Sequence, residues 1–197
     1  MIFDNTGRRK YLTPKERDRF IATSLKLALP EQTFCLMLAY SGCRISEALE
    51  TQKFRIDDEM RAVIIRCLKK RRPEPVFRVV PLPDWVLDKF HQHSQKLDDP
   101  DRLWPWSRGK GWYVVKRRMA TLELTGIHAC PKGLRHGFGI AAVQSGMPLN
   151  LVQRWLGHEK LETTAIYANA IGDEERAIVE KFWGEQRCEP VARALRR

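Results

Sequence analysis

The chain has no apolar run approaching the length of a membrane span, and no apolar segment at its start reads as a secretion signal. Cysteine is scarce and unpaired. Cys35, Cys43, Cys67, Cys130 and Cys188 are odd in number and never spaced C-x-x-C, and three of them sit within apolar runs. That pattern argues against a disulfide framework or a zinc cluster, and for small buried thiols in a reducing compartment such as the cytoplasm. Nucleotide-driven chemistry lacks its usual mark, because no G-x-x-x-x-G-K-[ST] loop occurs. Acidic residues are the scarcer charge. The pairs Asp57-Asp58 and Asp98-Asp99 have no third carboxylate spaced to build a two-metal nuclease. No Ser/His/Asp set stands out, and there is no internal repeat, low-complexity stretch or linker.

What remains is a basic globular chain. Its 197 residues are 43% hydrophobic, enough for one domain with a real core. Lys and Arg number 35 against 24 for Asp and Glu, a formal charge of +11 that suits a polyanionic partner. Composition alone fits a basic domain with no nucleic-acid role equally well.

Local signals predict a mainly α protein with a small antiparallel β-sheet, an α+β fold. Residues 1–12 form a basic arm, with Arg8, Arg9 and Lys10 adjacent, expected to be mobile until it meets a polyanion. Thr13, Pro14 and Glu16 mark a helix start by capping box, and Pro30 marks its end after Leu29. A core helix spans 31–40 and stops at Gly42, which leaves Arg44 in a tight turn before a short helix over 46–50. A Glu three residues after Arg44 is placed to hold it. The β-branched run 62–68 and the run 76–82 predict a hairpin with a basic tip, joined by a shorter strand near 54–57. Four consecutive cations at that tip, Lys69 to Arg72, suit a groove lined by phosphates.

Asp84 is read as the cap of a helix over 85–96. The loop 97–109 carries Trp104 and Trp106, wedged against the core, with base stacking as the lesser alternative. Helices follow over 111–124, with Lys116, Arg117 and Arg118 on its polar side, and over 132–145 and 149–156. A short helix with Leu161, Ala165 and Ile166 on its apolar face carries Tyr167, and Asp173 caps a last helix reaching Trp183. Residues 13–183 thus form one domain, and 184–197 a weakly amphipathic tail.

The last third of the chain gathers a phenol, an imidazole, a guanidinium and an ammonium: Tyr167, His158, Arg135 and Lys132. A phenol can attack a phosphodiester and keep the bond energy in a covalent phosphotyrosine. Arginines supply bidentate donors for the charge that develops, and a lysine in a cationic setting can protonate the leaving oxygen. Arg44 and the hairpin lysines are also available. Taken singly, each residue has a plainer reading. Tyr167 fits a core tyrosine, His158 after Leu156 and Gly157 fits a helix cap, and His136 reads as structural, hydrogen-bonded beside Arg135.

Taken together, the blocks resemble the tyrosine recombinases, the phage integrase family. The similarity runs from Ser41 to Tyr167. Gly42, Arg44, Ser46 and Glu47 resemble the first-arginine block, whose Glu supports the arginine. The hairpin ending in Val80-Pro81-Leu82 resembles the one bearing the family's lysine. Lys132-x-x-Arg135-His136 resembles the H-x-x-R-H block, with lysine in the first place. Leu156-Gly157-His158 and Thr163-Thr164-x-x-Tyr167 resemble the last block, with the family's His-to-Tyr interval kept.

The resemblance implies a site-specific DNA recombinase without metal, nucleotide or other cofactor. Tyr167 would form a 3′-phosphotyrosine, Arg44 and Arg135 would clamp the scissile phosphate, and His158 would donate to it. Lys70, with Lys69 as the alternative, would protonate the leaving 5′-oxygen. Lys132 would bind the phosphate and do little proton transfer, since a charged lysine is a poor base. Implied partners are double-stranded DNA with a specific site, further copies of the chain up to a tetramer, and accessory DNA-bending proteins. The setting would be the cytoplasm of a bacterium, with a phage or mobile element as the other source. About forty residues precede Arg44, too few for the family's usual clamping domain. The chain is therefore read as a catalytic fragment or as a short member like the fimbrial phase-variation recombinases. Alternatives with the same fold are a catalytically silent DNA-binding regulator and a type IB topoisomerase-like strand relaxer.

Overall fold

The computed structural model describes residues 2–68 and 74–168. Helix α1 (Pro14–Ser24) starts as its sequence predicts. Thr13 accepts from the Glu16 backbone N–H while the Glu16 carboxylate accepts from the Thr13 N–H. It ends earlier than expected. Thr23 and Ser24 turn their hydroxyls onto backbone carbonyls of the preceding turn, and the chain breaks there. Pro30 does not terminate α1; it lies in the first turn of α2 (Leu29–Ser41), where a missing N–H has no cost. Gly42 closes α2 in the left-handed region at φ 60°.

Helix α2 is the central element and packs against α1, α4 (Asp84–Ser94) and α6 (Pro131–Gln144). Its Phe34, Leu36, Met37 and Leu38 join Phe20, Phe90, Trp104 and Met119 in the main core. Trp104 is fully buried and donates from Nε1 to the Pro30 carbonyl at 3.0 Å, which makes it a core residue of the loop. Asp84 is the first residue of α4, not its cap, and its carboxylate pairs with Arg61.

The sheet is antiparallel in the order β1 (Ile56–Asp57), β2 (Ala62–Arg66), β3 (Phe77–Pro81). Ala62 opposes Pro81 and Arg66 opposes Phe77. Alternation along β3 leaves Phe77, Val79 and Pro81 exposed and turns Arg78 and Val80 inward. The remaining helices are α3 (Ile45–Leu49), α5 (Arg108–Thr121, capped by Ser107), α7 (Leu149–Leu156) and α8 (Glu162–Ala165). No helix among the described residues is long and apolar enough to cross a membrane.

The N-terminal arm is not free. Phe3 and Arg9 form an antiparallel bridge around a turn held by the Asp4 carboxylate, and Arg9 pairs with Glu16 of α1. Ile2 is buried in a second cluster with Phe138, Ile140, Val152, Leu156 and Tyr167. A buried apolar anchor and a salt-bridged arginine explain why this basic segment lies against the body. The final helix from Asp173, the tail 184–197 and the hairpin tip 69–73 lie outside the described residues.

Candidate active site

Tyr167 sits in the turn just after α8, with its residue surface 1% exposed. The buried side of this segment is not the predicted apolar face. Leu161 is exposed, whereas Thr164 and Tyr167, three residues apart, face inward. The Tyr167 ring lies against α6 at Gly139. A Cβ at Gly139 would stand 2.6 Å from the ring, so only glycine leaves the phenol its place. Burial raises the Tyr167 pKa, partly offset by the positive charge of Arg135 and Arg44.

Arg44 lies at the N-terminal end of α3 and is held by Glu47 in two ways. The Glu47 carboxylate accepts from the Arg44 backbone N–H and from its guanidinium, each at 2.9 Å. Behind Glu47 stands Arg78 of β3, which donates to the same carboxylate at 2.6 Å. Burial would raise the Glu47 carboxyl, but Arg78 and Arg44 outweigh it and hold it below the usual carboxylate range. Arg78 also donates to the Trp155 carbonyl at 2.7 Å and to the Cys67 sulfur at 3.2 Å. It packs on Gly157, whose φ of 68° ends α7 in the left-handed region.

Arg135, on α6, donates to the Gly42 carbonyl and to the Leu156 carbonyl, both at 2.7 Å. The two buried arginines thus satisfy successive C-terminal carbonyls of α7, where cations also match the helix dipole. Burial, with repulsion from Arg44, pushes the Arg135 pKa down to about 10, so it stays charged at neutral pH. Donors left over on a guanidinium fixed this firmly are ready for an anion in front of it.

His158 follows Gly157. Its Nδ1 lies 2.9 Å from the Thr164 hydroxyl, and its ring stacks on Tyr167 at an interplanar angle of 23°. Burial and the nearby Arg135 and Arg44 push its pKa down to about 3. The neutral ring keeps one nitrogen as donor and one as acceptor; where the Thr164 hydroxyl donates to Nδ1, the proton stands on Nε2 and faces the cleft as a donor. His136 lies one residue after Arg135, and its Nδ1 is 3.1 Å from the Tyr167 hydroxyl. Burial together with Lys132 and Arg135 pushes His136 down to about 4, so it too is neutral at neutral pH.

Five of the six site residues expected from the sequence, Arg44, Lys132, Arg135, His158 and Tyr167, line one cleft of about 560 Å³. Lys132 is exposed in that lining. Lys70 and its alternative Lys69 lie outside the described residues. Three contributors were not among the expected site residues. His136, read as structural beside Arg135, touches the phenol oxygen itself. Arg78 was legible from the two-residue period of its strand, which aligns it with inward Val80. Thr164 carried a spacing signal only, three residues before Tyr167. No group of three or more His, Cys, Asp or Glu placed to hold a metal occurs among the described residues.

The sequence profile of the phage integrase family matches residues 10–172. The chain belongs to the phage integrase family. It is 26% identical over 195 residues to tyrosine recombinase XerA of Thermococcus kodakarensis, covering 89% of this chain and 66% of that protein. Tyrosine recombinase XerD of Haemophilus influenzae is 25% identical over 191 residues, covering 88% of this chain and 62% of that one. The chain thus spans less than two thirds of these family members' length. The crystal structure of XerA recombinase superposes with a TM-score of 0.71 at 19% identity, over 91% of this chain and 66% of that one. XerH site-specific recombinase, in its pre-cleavage complex with difH substrate, gives 0.72 at 18% identity, over 92% and 59%. The integrase fold of mainly helices around a small antiparallel sheet is therefore the fold of this chain.

Proposed function

We propose that the chain is the catalytic part of a site-specific DNA recombinase that cleaves and rejoins strands through Tyr167. In this reading the phenol attacks a backbone phosphate and leaves a 3′-phosphotyrosine, while the bond energy stays in the covalent link. Arg44 and Arg135 bind the non-bridging oxygens, and His158 donates to one of them from Nε2. Lys132 adds a phosphate contact, and Lys70 protonates the departing 5′-oxygen. Neither a metal nor a nucleotide enters these steps. The substrate is double-stranded DNA carrying a specific site. Four protomers on two such sites pass strands through a Holliday junction in the cytoplasm, with accessory DNA-bending proteins as further partners.

One observation carries the reading. A buried tyrosine shares a cleft with two arginines fixed by Glu47 and by the Gly42 and Leu156 carbonyls, and with a histidine in its neutral form. A core tyrosine has no need of two immobilised cations aimed at the same space. The test is a nicked suicide duplex bearing a site selected by the protein from random DNA. A covalent adduct on a denaturing gel, abolished by Tyr167→Phe, is expected. Binding without any adduct would instead indicate a silent regulator, and relaxation of unrelated plasmid DNA a topoisomerase-like activity.

A further inference from the structure

The Tyr167 hydroxyl has a neighbour that the phosphate-binding groups do not explain. His136 Nδ1 lies 3.1 Å from it, and the two rings are tilted at 59° with centroids 5.7 Å apart. The other ring nitrogen, Nε2, is buried without a hydrogen-bond partner among the described residues. Hydrogen bonding among those residues therefore ties this imidazole to the one atom that must lose a proton for Tyr167 to attack. Lys132, a further side chain of this helix that lines the cleft, is no substitute, because an ammonium has no lone pair to accept a proton.

We propose that His136 is the base that takes the phenol proton from Tyr167, a role that rests on the recombinase reading above. As Tyr167 Oη bonds to phosphorus, its O–H bond breaks and the proton moves to His136 Nδ1. The P–O5′ bond breaks with its electron pair on the 5′-oxygen, which takes a proton from the hairpin lysine. In rejoining, the 5′-hydroxyl attacks phosphorus and returns its proton to that lysine. The phenolate leaves and recovers its own proton from His136, so every atom and charge is restored.

The surroundings keep this transfer silent until DNA arrives. The groups acting on His136 include Lys132 and Arg135 on its own helix, Lys10 from the N-terminal segment, His158 after α7 and Tyr167 after α8. Burial and these cations keep the ring neutral at rest, and burial keeps the proton on the phenol. A scissile phosphate between Arg44 and Arg135 brings the opposite charge and favours a protonated His136. Bonding to phosphorus at the same moment makes the phenol far more acidic. Transfer coupled to attack therefore needs no free phenolate.

His136→Asn tests the role, because its amide oxygen can still accept from the phenol but cannot carry the proton away. With the selected nicked duplex, cleavage is expected to slow by about a hundredfold or more, the lower range for a lost general base. Folding and DNA binding should be unchanged. Replacing Tyr167 by 3-fluorotyrosine, a more acidic phenol, is expected to restore much of the rate in His136→Asn. Cleavage at the wild-type rate in His136→Asn, or no rescue by fluorotyrosine, would overturn the proposal. If wild-type protein forms no adduct, the recombinase reading itself fails, and this role with it. Nitrogen NMR of the wild-type imidazole decides independently of DNA and of any variant's folding. An unprotonated Nδ1 with a protonated Nε2 is expected, and a protonated Nδ1 would overturn the assignment.

Discussion

Arg78 and Glu47 form an ion pair at 2.6 Å with their side chains 3% and 0% exposed. The pair links strand β3 to helix α3 and so ties the root of the basic hairpin to Arg44. Removing one member of a buried pair leaves the other charged and unpartnered. Arg78→Met is expected to cost about 3–5 kcal/mol of stability. The double variant Glu47→Gln with Arg78→Met should cost less than the sum of the single changes. Urea unfolding of the four proteins measures both.

Thr164 is buried with its hydroxyl 2.9 Å from His158 Nδ1, and as the donor of that bond it would hold the His158 proton on Nε2. Thr164→Val keeps the shape and removes the hydroxyl. His158 can then move its proton to Nδ1 and cease to donate from Nε2. Strand cleavage should fall by about tenfold or more, short of the hundred- to thousandfold cost of losing such a donor outright. DNA affinity should hold. Single-turnover cleavage rates and gel-shift titration separate the two effects.

Gly139 leaves room for the phenol ring, since a Cβ there would lie 2.6 Å from Tyr167 Cε2. Gly139→Ala must push the ring or the helix aside. An overpacked site of this kind loses about 1–3 kcal/mol. A misplacement of about 1 Å at a reacting atom lowers the rate by about a hundredfold. Thermal unfolding and cleavage rates are expected to show both losses, with cleavage hit harder.

His136 and His158 have pKa values pushed down to about 4 and about 3, against 6.5 in the unfolded chain. The unfolded chain therefore takes up protons below pH 6.5 while the native rings remain neutral. Their contribution to stability is intact above pH 6.5 and declines as the pH falls from there toward 4 and then 3. Glu47, held low by Arg78 and Arg44, adds a loss in the same direction at lower pH. Urea melts at neutral pH and near pH 5 should show a smaller acid loss in His136→Asn than in wild type.

Much of the fold was legible because local chemistry and tertiary packing agree. The Thr13–Glu16 capping box, the stop at Gly42 and the hairpin of residues 62–66 and 77–81 each follow from a few residues. Pro30 misled because proline marks either the end of one helix or the first turn of the next, and only packing decides. The N-terminal arm misled because its charge suggested freedom, whereas buried Ile2 and the Arg9–Glu16 pair anchor it. In the candidate site, Arg44, Arg135, His158 and Tyr167 were picked out by the resemblance of their motif blocks to the family, and the fold brings them to one cleft. His136 was named but given a supporting place, because adjacency to Arg135 says nothing about which residue faces it from the turn after α8. That contact joins positions 31 residues apart and exists only once α6 and α8 pack.

The central claim is that the Tyr167 phenol attacks a DNA phosphate. Trapping the protein on the nicked duplex, digesting the adduct and mapping the modified peptide by mass spectrometry tests it most directly. A 3′-linked nucleotide on Tyr167, absent from Tyr167→Phe, is the predicted result. An adduct on any other residue, a 5′ linkage, or an adduct that persists in Tyr167→Phe would contradict it.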